Sequence, residues 1–310
     1  MSTGNGYDIP VYGLDNGGFH LLHILAICCI FLSFISATAI VIFSFKQNGF
    51  KSFFSWTKSE RLVVYLALCD GCFNISHSLD HFNILLTKDH VRPLELCQVY
   101  SFINLEFIFA QTLMVNAIAI NAFLMIYFGK NLDFGKKDWR LLVWGFVTPL
   151  IIDIVCAATG QFGPTGAYCF FDGVKAKISN MFLTTIPMSF ILVANAILYA
   201  LTYYRIQSEA KRLQHSLGAS SSASRASHRA ARNMILFLLA FFVQWWAATV
   251  FGIWLLFQEP PMILFQMVTT FSNIGGVLNG ITYAIIRRRQ TTIKPDDKTK
   301  GNSQNANSSC

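Results

Sequence analysis

Residues 20–45 read HLLHILAICCIFLSFISATAIVIFSF, an apolar stretch without aspartate, glutamate, lysine or arginine. A helix of about 20 apolar residues is long enough to cross the hydrocarbon core of a bilayer. The stretch therefore predicts a transmembrane helix near the start of the chain. The composition of all 310 residues agrees with this, because 54% are hydrophobic and only 13% are charged. Soluble domains carry about 25% charged residues.

Six further apolar stretches follow, and they predict an all-α membrane protein, a bundle of seven transmembrane helices. Helices are expected because every backbone polar group inside a bilayer needs a hydrogen-bond partner within the protein. The predicted spans are 20–45, 61–86, 96–128, 140–159, 178–204, 231–257 and 262–286. Residues 1–19 form a short extracellular N-terminus, and residues 287–310 form a cytoplasmic tail.

The distribution of basic residues predicts which side of the membrane each loop faces. Of the 24 lysines and arginines, 20 fall in segments 46–61, 129–140, 205–232 and 287–300. Cytoplasmic loops of membrane proteins carry the excess of basic residues. The N-terminus is therefore expected outside and the C-terminus in the cytoplasm, in a multi-pass protein of the plasma membrane. Basic loops at a bilayer surface also account for the net charge of +8 without a nucleic-acid partner.

Polar side chains line one face of two predicted helices. At about 100° per residue, one face of the second span carries Asp70, Asn74, His77 and His81, and one face of the seventh carries Ser272, Gly276, Asn279 and Tyr283. Polar groups inside a membrane are costly and either join helices or serve a function. We predict that Asp70, Asn74, Asn279 and Tyr283 form a polar switch between the helices.

Acidic and histidine side chains in the outer half of the bundle are candidates for ligand contact. Glu106 lies about 14 Å along the third span from Cys97, at a depth that an external ligand would reach. Its carboxylate could pair with a cationic ligand or with His77, and a purely structural acid fits the sequence equally well. We predict a ligand site formed by Glu106, Asp80, His77 and His81, with no cofactor and no metal.

Two cysteines lie on the predicted external side of the membrane. Cys97 is at the start of the third span, and Cys169 is in the loop after the fourth. Disulfides form and persist in the oxidising exterior. The sequence therefore predicts a disulfide that ties this loop to the third helix.

The segment 205–232 combines six basic residues with a run of serines. It could be a flexible linker, or its basic flanks could extend the fifth and sixth helices towards anionic lipid or a partner. The serines that we consider as phosphorylation sites are Ser220, Ser221, Ser222, Ser224 and Ser227.

These residues resemble the G-protein-coupled receptor superfamily over nearly all of residues 20–290. Leu66-Ala67-Leu68-Cys69-Asp70 is similar to the LAxxD signature of the second helix. Trp144, Pro149 and Pro187 stand where the superfamily carries a tryptophan and prolines in the fourth and fifth helices. Cys97 with Cys169 matches its external disulfide, and Asn279 and Tyr283 have the spacing of NPxxY, with Gly280 in place of proline.

Two departures shift the resemblance away from the rhodopsin-like class. The third helix ends in Asn121-Ala122-Phe123, without the DRY arginine, and no proline lies near Trp245 and Trp246. The long third span and short N-terminus look more like the cyclic-AMP-receptor-like group, which borders on the secretin-like receptors. The resemblance implies a receptor that passes the signal of a small extracellular ligand to a heterotrimeric G protein through segments 129–140 and 205–232.

Other functions fit parts of the same sequence. His77 and His81 lie one helical turn apart with Asp80 between them, which is the spacing of metal ligands. An intramembrane metal-dependent hydrolase, with His23 or Asp153 as a third ligand, is therefore an alternative. A transporter or channel is another, because polar stripes also line pores. A retinal-based light sensor is rejected, because residues 262–286 contain no lysine for a Schiff base.

Overall fold

The structure, a computed structural model, describes residues 4–215, 222–255, 257–258 and 260–291, without the side chains at 51–52, 210–215, 222–232, 234 and 289–291. Seven long helices run through these residues. They are α1 (Phe19–Asn48), α2 (Lys58–Thr87), α3 (Leu94–Phe128), α4 (139–158), α5 (177–215), α6 (Ser222–Trp254) and α7, which consists of Met262–Asn273 and Gly275–Thr291. Short 3₁₀ turns are formed by Gly6–Asp8, Phe50–Ser55 and Lys136–Asp138.

Local sequence sets where α2 and α3 begin and end. The Thr57 side chain accepts the Glu60 N–H, and the Glu60 carboxylate accepts the Thr57 N–H, so a capping box starts α2. Pro93 precedes α3, and its missing N–H costs nothing at a helix start. Gly129 ends α3 with a φ of 63°, which glycine adopts without the steric penalty of a side chain.

Both α4 and α5 contain a π-helical turn just before a proline. In α4 the turn Val143–Val147 precedes Pro149, and in α5 the turn Met181–Thr185 precedes Pro187. Proline cannot donate to the carbonyl four residues earlier, and its ring crowds that carbonyl. The wider π turn absorbs the mismatch, so both helices continue across the proline.

The helices pack around α3. It contacts α2, α4, α5 and α6, while α1 packs against α2 and both halves of α7. Large apolar side chains cover the outward faces, among them Phe31, Leu86, Phe190 and Val193, which are all exposed. Outward apolar side chains on helices that satisfy their own backbone groups are what a lipid environment requires.

Six of the described helices are long and apolar enough to cross a membrane, and α7 is divided in two. Ile274, with φ −92° and ψ 6°, interrupts the helix between Asn273 and Gly275. The Gln244 side chain of α6 donates to the buried Ser272 carbonyl at this break, with an N–O distance of 3.1 Å. A Cβ on Gly275 would lie 2.3 Å from that same amide nitrogen, so glycine there leaves room for the Gln244 side chain.

A small hairpin adds to the predicted all-α architecture. Strands β1 (Phe162–Pro164) and β2 (Cys169–Phe171) pair antiparallel in the segment between α4 and α5. The predicted disulfide is confirmed, and it joins Cys169 of β2 to Cys97 of α3. The hairpin is therefore fixed over the end of the bundle where α3 begins.

The segment 205–232 continues the helices on both sides. Helix α5 extends to His215, and α6 begins at Ser222. This agrees with the second of the two interpretations of the sequence, in which the basic flanks extend the helices. Ser220 and Ser221 lie outside the described residues, as do the side chains of Ser222, Ser224 and Ser227, so their phosphorylation stays a prediction.

Candidate ligand cavity and the polar network beneath it

A cavity of about 620 Å³ opens at the end of the bundle that carries the N-terminal segment and the hairpin. Its walls come from the N-terminal segment, the hairpin and helices α2, α3, α5, α6 and α7. Its volume lies within the range of small-molecule sites, about 300 to 1,000 Å³. Most of the wall is aromatic or aliphatic, for example Phe73, Phe109, Trp245, Phe251 and Phe265.

The N-terminal segment forms part of the wall because hydrogen bonds hold it to the bundle. The Tyr7 hydroxyl donates to the Val91 carbonyl at 2.7 Å, and His90 Nε2 donates to the Ile9 carbonyl at 2.7 Å. Burial raises the pKa of the Tyr7 phenol above its ordinary value of 10.0, so Tyr7 remains a donor at neutral pH. Ile9 and Tyr12 consequently line the cavity.

Three histidines form a hydrogen-bonded row that ends in the cavity. His23 Nδ1 of α1 lies 2.8 Å from His81 Nδ1, and His81 Nε2 lies 3.2 Å from His77 Nε2. All three side chains are buried, and only His77 lines the cavity. His81 bonds to the other two imidazoles through its two ring nitrogens, and the described residues contain no group of three His, Cys, Asp or Glu side chains that could hold a metal ion.

Asp80 and Glu106 lie behind the cavity wall. Asp80 accepts the Cys169 N–H at 2.8 Å, so its carboxylate anchors the hairpin beside the disulfide. Glu106 is buried near Asp153 of α4, close enough for their carboxyl groups to interact. Of the four predicted ligand contacts, His77 alone is in the wall, and ligand contact by Asp80, His81 and Glu106 stays a prediction.

The floor of the cavity connects to a polar network in the centre of the bundle. Trp245, which lines the cavity, donates from Nε1 to Gln111 Oε1 at 3.3 Å. Gln111 donates to one oxygen of Asp70 at 2.7 Å, and Asn279 donates to the other oxygen at 2.7 Å. These four buried side chains belong to α6, α3, α2 and α7, so the network joins four helices through one carboxylate.

The structure brings together two of the four residues assigned to the switch. Asp70 and Asn279 are bonded directly. Asn74 is buried without a hydrogen-bond partner for its amide among the described residues. The Tyr283 hydroxyl instead accepts from Ser44 Oγ of α1 at 3.3 Å.

The sequence analysis assigned no role in the site to Gln111, Trp245 or Asn104, because it considered ionisable side chains first. Asn104 and Gln111 are seven residues apart on α3, about two helical turns, so they share one face. That shared polar face was visible in the sequence. The pairing of Gln111 with Trp245 was not, because it depends on how α3 and α6 pack.

The opposite end of the bundle is held by a second buried cluster. Arg61 of α2 forms two bonds to Asp138, at 2.5 Å from Nε and 2.8 Å from Nη2, and also donates to the Trp56 carbonyl. The Tyr65 hydroxyl donates to the same Asp138 carboxylate at 3.2 Å. At the end of α3, Asn121 Oδ1 accepts the Leu132 N–H at 2.7 Å. The two loops at this end are therefore tied to the helices by buried polar contacts.

The whole arrangement is similar to a solved structure, that of squid rhodopsin. The similarity covers 95% of this chain and 92% of the rhodopsin chain, with a TM-score of 0.64 and 17% sequence identity. The chain has the rhodopsin fold. The predicted seven-helix bundle is thereby confirmed, with α7 supplying the seventh helix in two pieces. At this identity the match to rhodopsin shows the fold and not the ligand.

Comparisons of sequence add nothing to the rhodopsin match. No family model matches the chain, and no curated protein matches it. The placement of the chain beside rhodopsin therefore comes from its three-dimensional structure alone.

Proposed function

We propose that the protein is a G-protein-coupled receptor of the plasma membrane, which binds a small extracellular ligand in the cavity and activates a heterotrimeric G protein. The rhodopsin fold and the sequence motifs quoted above support this proposal. The N-terminus is proposed to lie outside and the C-terminus in the cytoplasm. The resemblance to the cyclic-AMP-receptor-like group rests on sequence motifs alone, since the comparisons do not favour it over the rhodopsin-like class.

The observation that carries the proposal is the path from Trp245 through Gln111 to Asp70 and Asn279. A ligand that contacts Trp245 would act on a buried network shared by four helices. A ligand shifts a two-state equilibrium by binding one state more tightly than the other. Trp245 of α6 bonds to Gln111 of α3, and Gln111 and Asn279 of α7 both bond to Asp70 of α2. A displacement of α6 would therefore change the contacts of α3 directly and those of α2 and α7 through Gln111.

The opposite end of the bundle is the proposed contact for the G protein. Its basic segments 129–140 and 205–232 would face the partner, as the positive-inside distribution predicts. The Arg61–Asp138 cluster fixes the first of these segments against α2. A G protein would therefore meet a loop of defined shape there.

Replacing Asp70 by asparagine tests the proposal directly. Asparagine has the same shape, but its NH₂ group would face one of the two amide NH₂ donors, so one bond of the network is lost. We expect the stimulated rate of nucleotide exchange to fall at least about fivefold, the lower end of coupling energies between sites. The measurement is GTPγS binding to a panel of purified heterotrimeric G proteins, with the receptor in nanodiscs and a library of small ligands.

Asp89→Asn is the matched control, because Asp89 is exposed in the loop before α3 and takes no part in the network. It should behave as wild type. Equal exchange rates for Asp70→Asn and wild type would remove the network from the mechanism. Exchange no faster than with empty nanodiscs, for every G protein and ligand, would refute the receptor proposal itself.

A further inference from the structure

The charges of the cavity wall indicate the chemical class of its ligand. Among the described wall residues, the only acid is Asp172 and the only lysine or arginine is Lys177. Asp172 is buried and already accepts three backbone N–H groups, from Gly6, Val174 and Lys175, at 2.9 to 3.0 Å. Its carboxylate is therefore occupied in holding the N-terminal segment and the turn before α5.

Lys177 is the first residue of α5, at the end of the bundle where the cavity opens. It is exposed, and within the described part of the chain its ammonium group forms no ion pair. A free cation at the mouth favours an anionic group on the ligand. An amine ligand would meet this cation and find no unoccupied carboxylate in the wall.

The deep part of the wall carries one unsatisfied polar side chain. Asn104 lies about 15 Å along α3 from its first residue. Only 1% of it is exposed, its amide nitrogen is 3.5 Å from His77 Nδ1, and its amide oxygen has no hydrogen-bond partner. A buried amide oxygen without a hydrogen-bond donor costs free energy, which a ligand recovers by donating to it. A hydroxyl fits, because it both donates and accepts.

Between these two polar points most of the wall is apolar, and the hydroxyls of Thr184 and Thr249, which also line it, bond to carbonyls of their own helices. Phe73, Phe109, Met188, Phe251 and Val268 line the space. Burial of hydrocarbon against such side chains contributes about 0.8 kcal/mol per methylene group. An acyl chain fits these walls better than a polar body such as a sugar or a peptide.

We propose that the cavity binds a hydroxylated fatty-acid anion, with its carboxylate at Lys177, its chain along the aromatic wall and its hydroxyl at Asn104 and His77. This inference rests on the proposed receptor function, since it names the ligand of the same cavity. It differs from the cationic ligand considered for Glu106 in the sequence, and Glu106 is not among the described residues of the cavity wall.

Four amphiphiles of equal chain length test the assignment. They are ω-hydroxydodecanoate, dodecanoate, dodecanediol and dodecylammonium, each titrated against the purified full chain in phosphatidylcholine nanodiscs. Binding is measured as the rise of the unfolding midpoint with ligand concentration. We expect ω-hydroxydodecanoate to bind most tightly and dodecylammonium to bind most weakly. Dodecanoate should bind about fivefold more weakly than ω-hydroxydodecanoate, because it lacks one neutral hydrogen bond.

Lys177→Gln separates the carboxylate contact from partition into the lipid, because partition is the same for every variant. Loss of an exposed ion pair should weaken the binding of ω-hydroxydodecanoate about threefold and leave the binding of dodecanediol unchanged. Lys175→Gln is the control, since Lys175 is also exposed but does not line the cavity. Unchanged binding in Lys177→Gln, or equal binding of dodecylammonium by the wild type, would overturn the assignment.

The proposed receptor function and the proposed ligand class can each be refuted without the other. If an amine from the library drives GTPγS exchange while ω-hydroxydodecanoate does not bind, the ligand class is wrong and the receptor remains. If ω-hydroxydodecanoate binds in the expected order but no G protein exchanges nucleotide, the ligand class stands and the receptor is wrong.

Discussion

At the scale of single residues, Gly276 shows how closely α7 approaches α1. Its N–H donates to Ser33 Oγ at 2.7 Å, and a Cβ in its place would lie 2.4 Å from the Ser33 carbonyl oxygen. Gly276 and Gly280 form a GxxxG pair, a spacing that allows two helices to approach closely. In the structure the helix that approaches Gly276 is α1, which the spacing alone does not specify.

Gly276→Ala is therefore expected to destabilise the protein by about 2 kcal/mol, because the contact is with backbone and a helix must shift. Gly71→Ala is the matched control. No atom lies within 4 Å of a Cβ at Gly71, so the gain in helix propensity should raise stability by about 0.5 kcal/mol. Thermal unfolding in detergent compares the two. A midpoint for Gly276→Ala at or above that of wild type would contradict the packing.

At the scale of elements, two ion pairs at one end of the bundle differ in burial. The side chains of Arg61 and Asp138 are 10% and 2% exposed, whereas those of Arg140 and Asp133 are 55% and 71% exposed. Removing one partner of a buried pair leaves the other charge desolvated without compensation. Removing one partner of an exposed pair leaves a charge that water solvates.

Asp138→Ala should accordingly cost about 3 kcal/mol of stability, because the Arg61 guanidinium loses its two-point partner inside the protein. Asp133→Ala should cost less than about 1 kcal/mol. Both changes remove one aspartate from the same segment, so unfolding midpoints measured side by side isolate burial as the cause. Equal losses from the two substitutions would mean that the Arg61 contact does not fix the segment.

At the scale of the whole molecule, the orientation in the membrane stays a prediction from charge. Bilayer insertion retains lysine and arginine on the cytoplasmic side. An epitope at the N-terminus should be labelled on intact cells, and one at the C-terminus only after permeabilisation. Labelling of both epitopes under the same condition would require an even number of crossings and would remove the receptor proposal.

The order of amino acids was enough to predict the membrane class and the number of helices. Both follow from hydrophobicity counted along the chain, since each crossing needs its own run of apolar residues whatever its neighbours do. It also predicted the Cys97–Cys169 disulfide, because both residues map to one side of the membrane. The polar face of α2, with Asp70 and His77, followed from helical periodicity in the same way.

Which polar groups meet, and which of them face the cavity, depended on how the helices pack in three dimensions. Glu106 and Asn104 are two residues apart on α3, so helical periodicity places them on nearly opposite faces. The rotation of α3 among its neighbours decides that Asn104 faces the cavity and Glu106 packs towards α4. Likewise, Asp70 is joined to Gln111 and Asn279 because three helices converge on it. A periodic pattern gives the face of one helix, but contacts between helices depend on the packing of all of them.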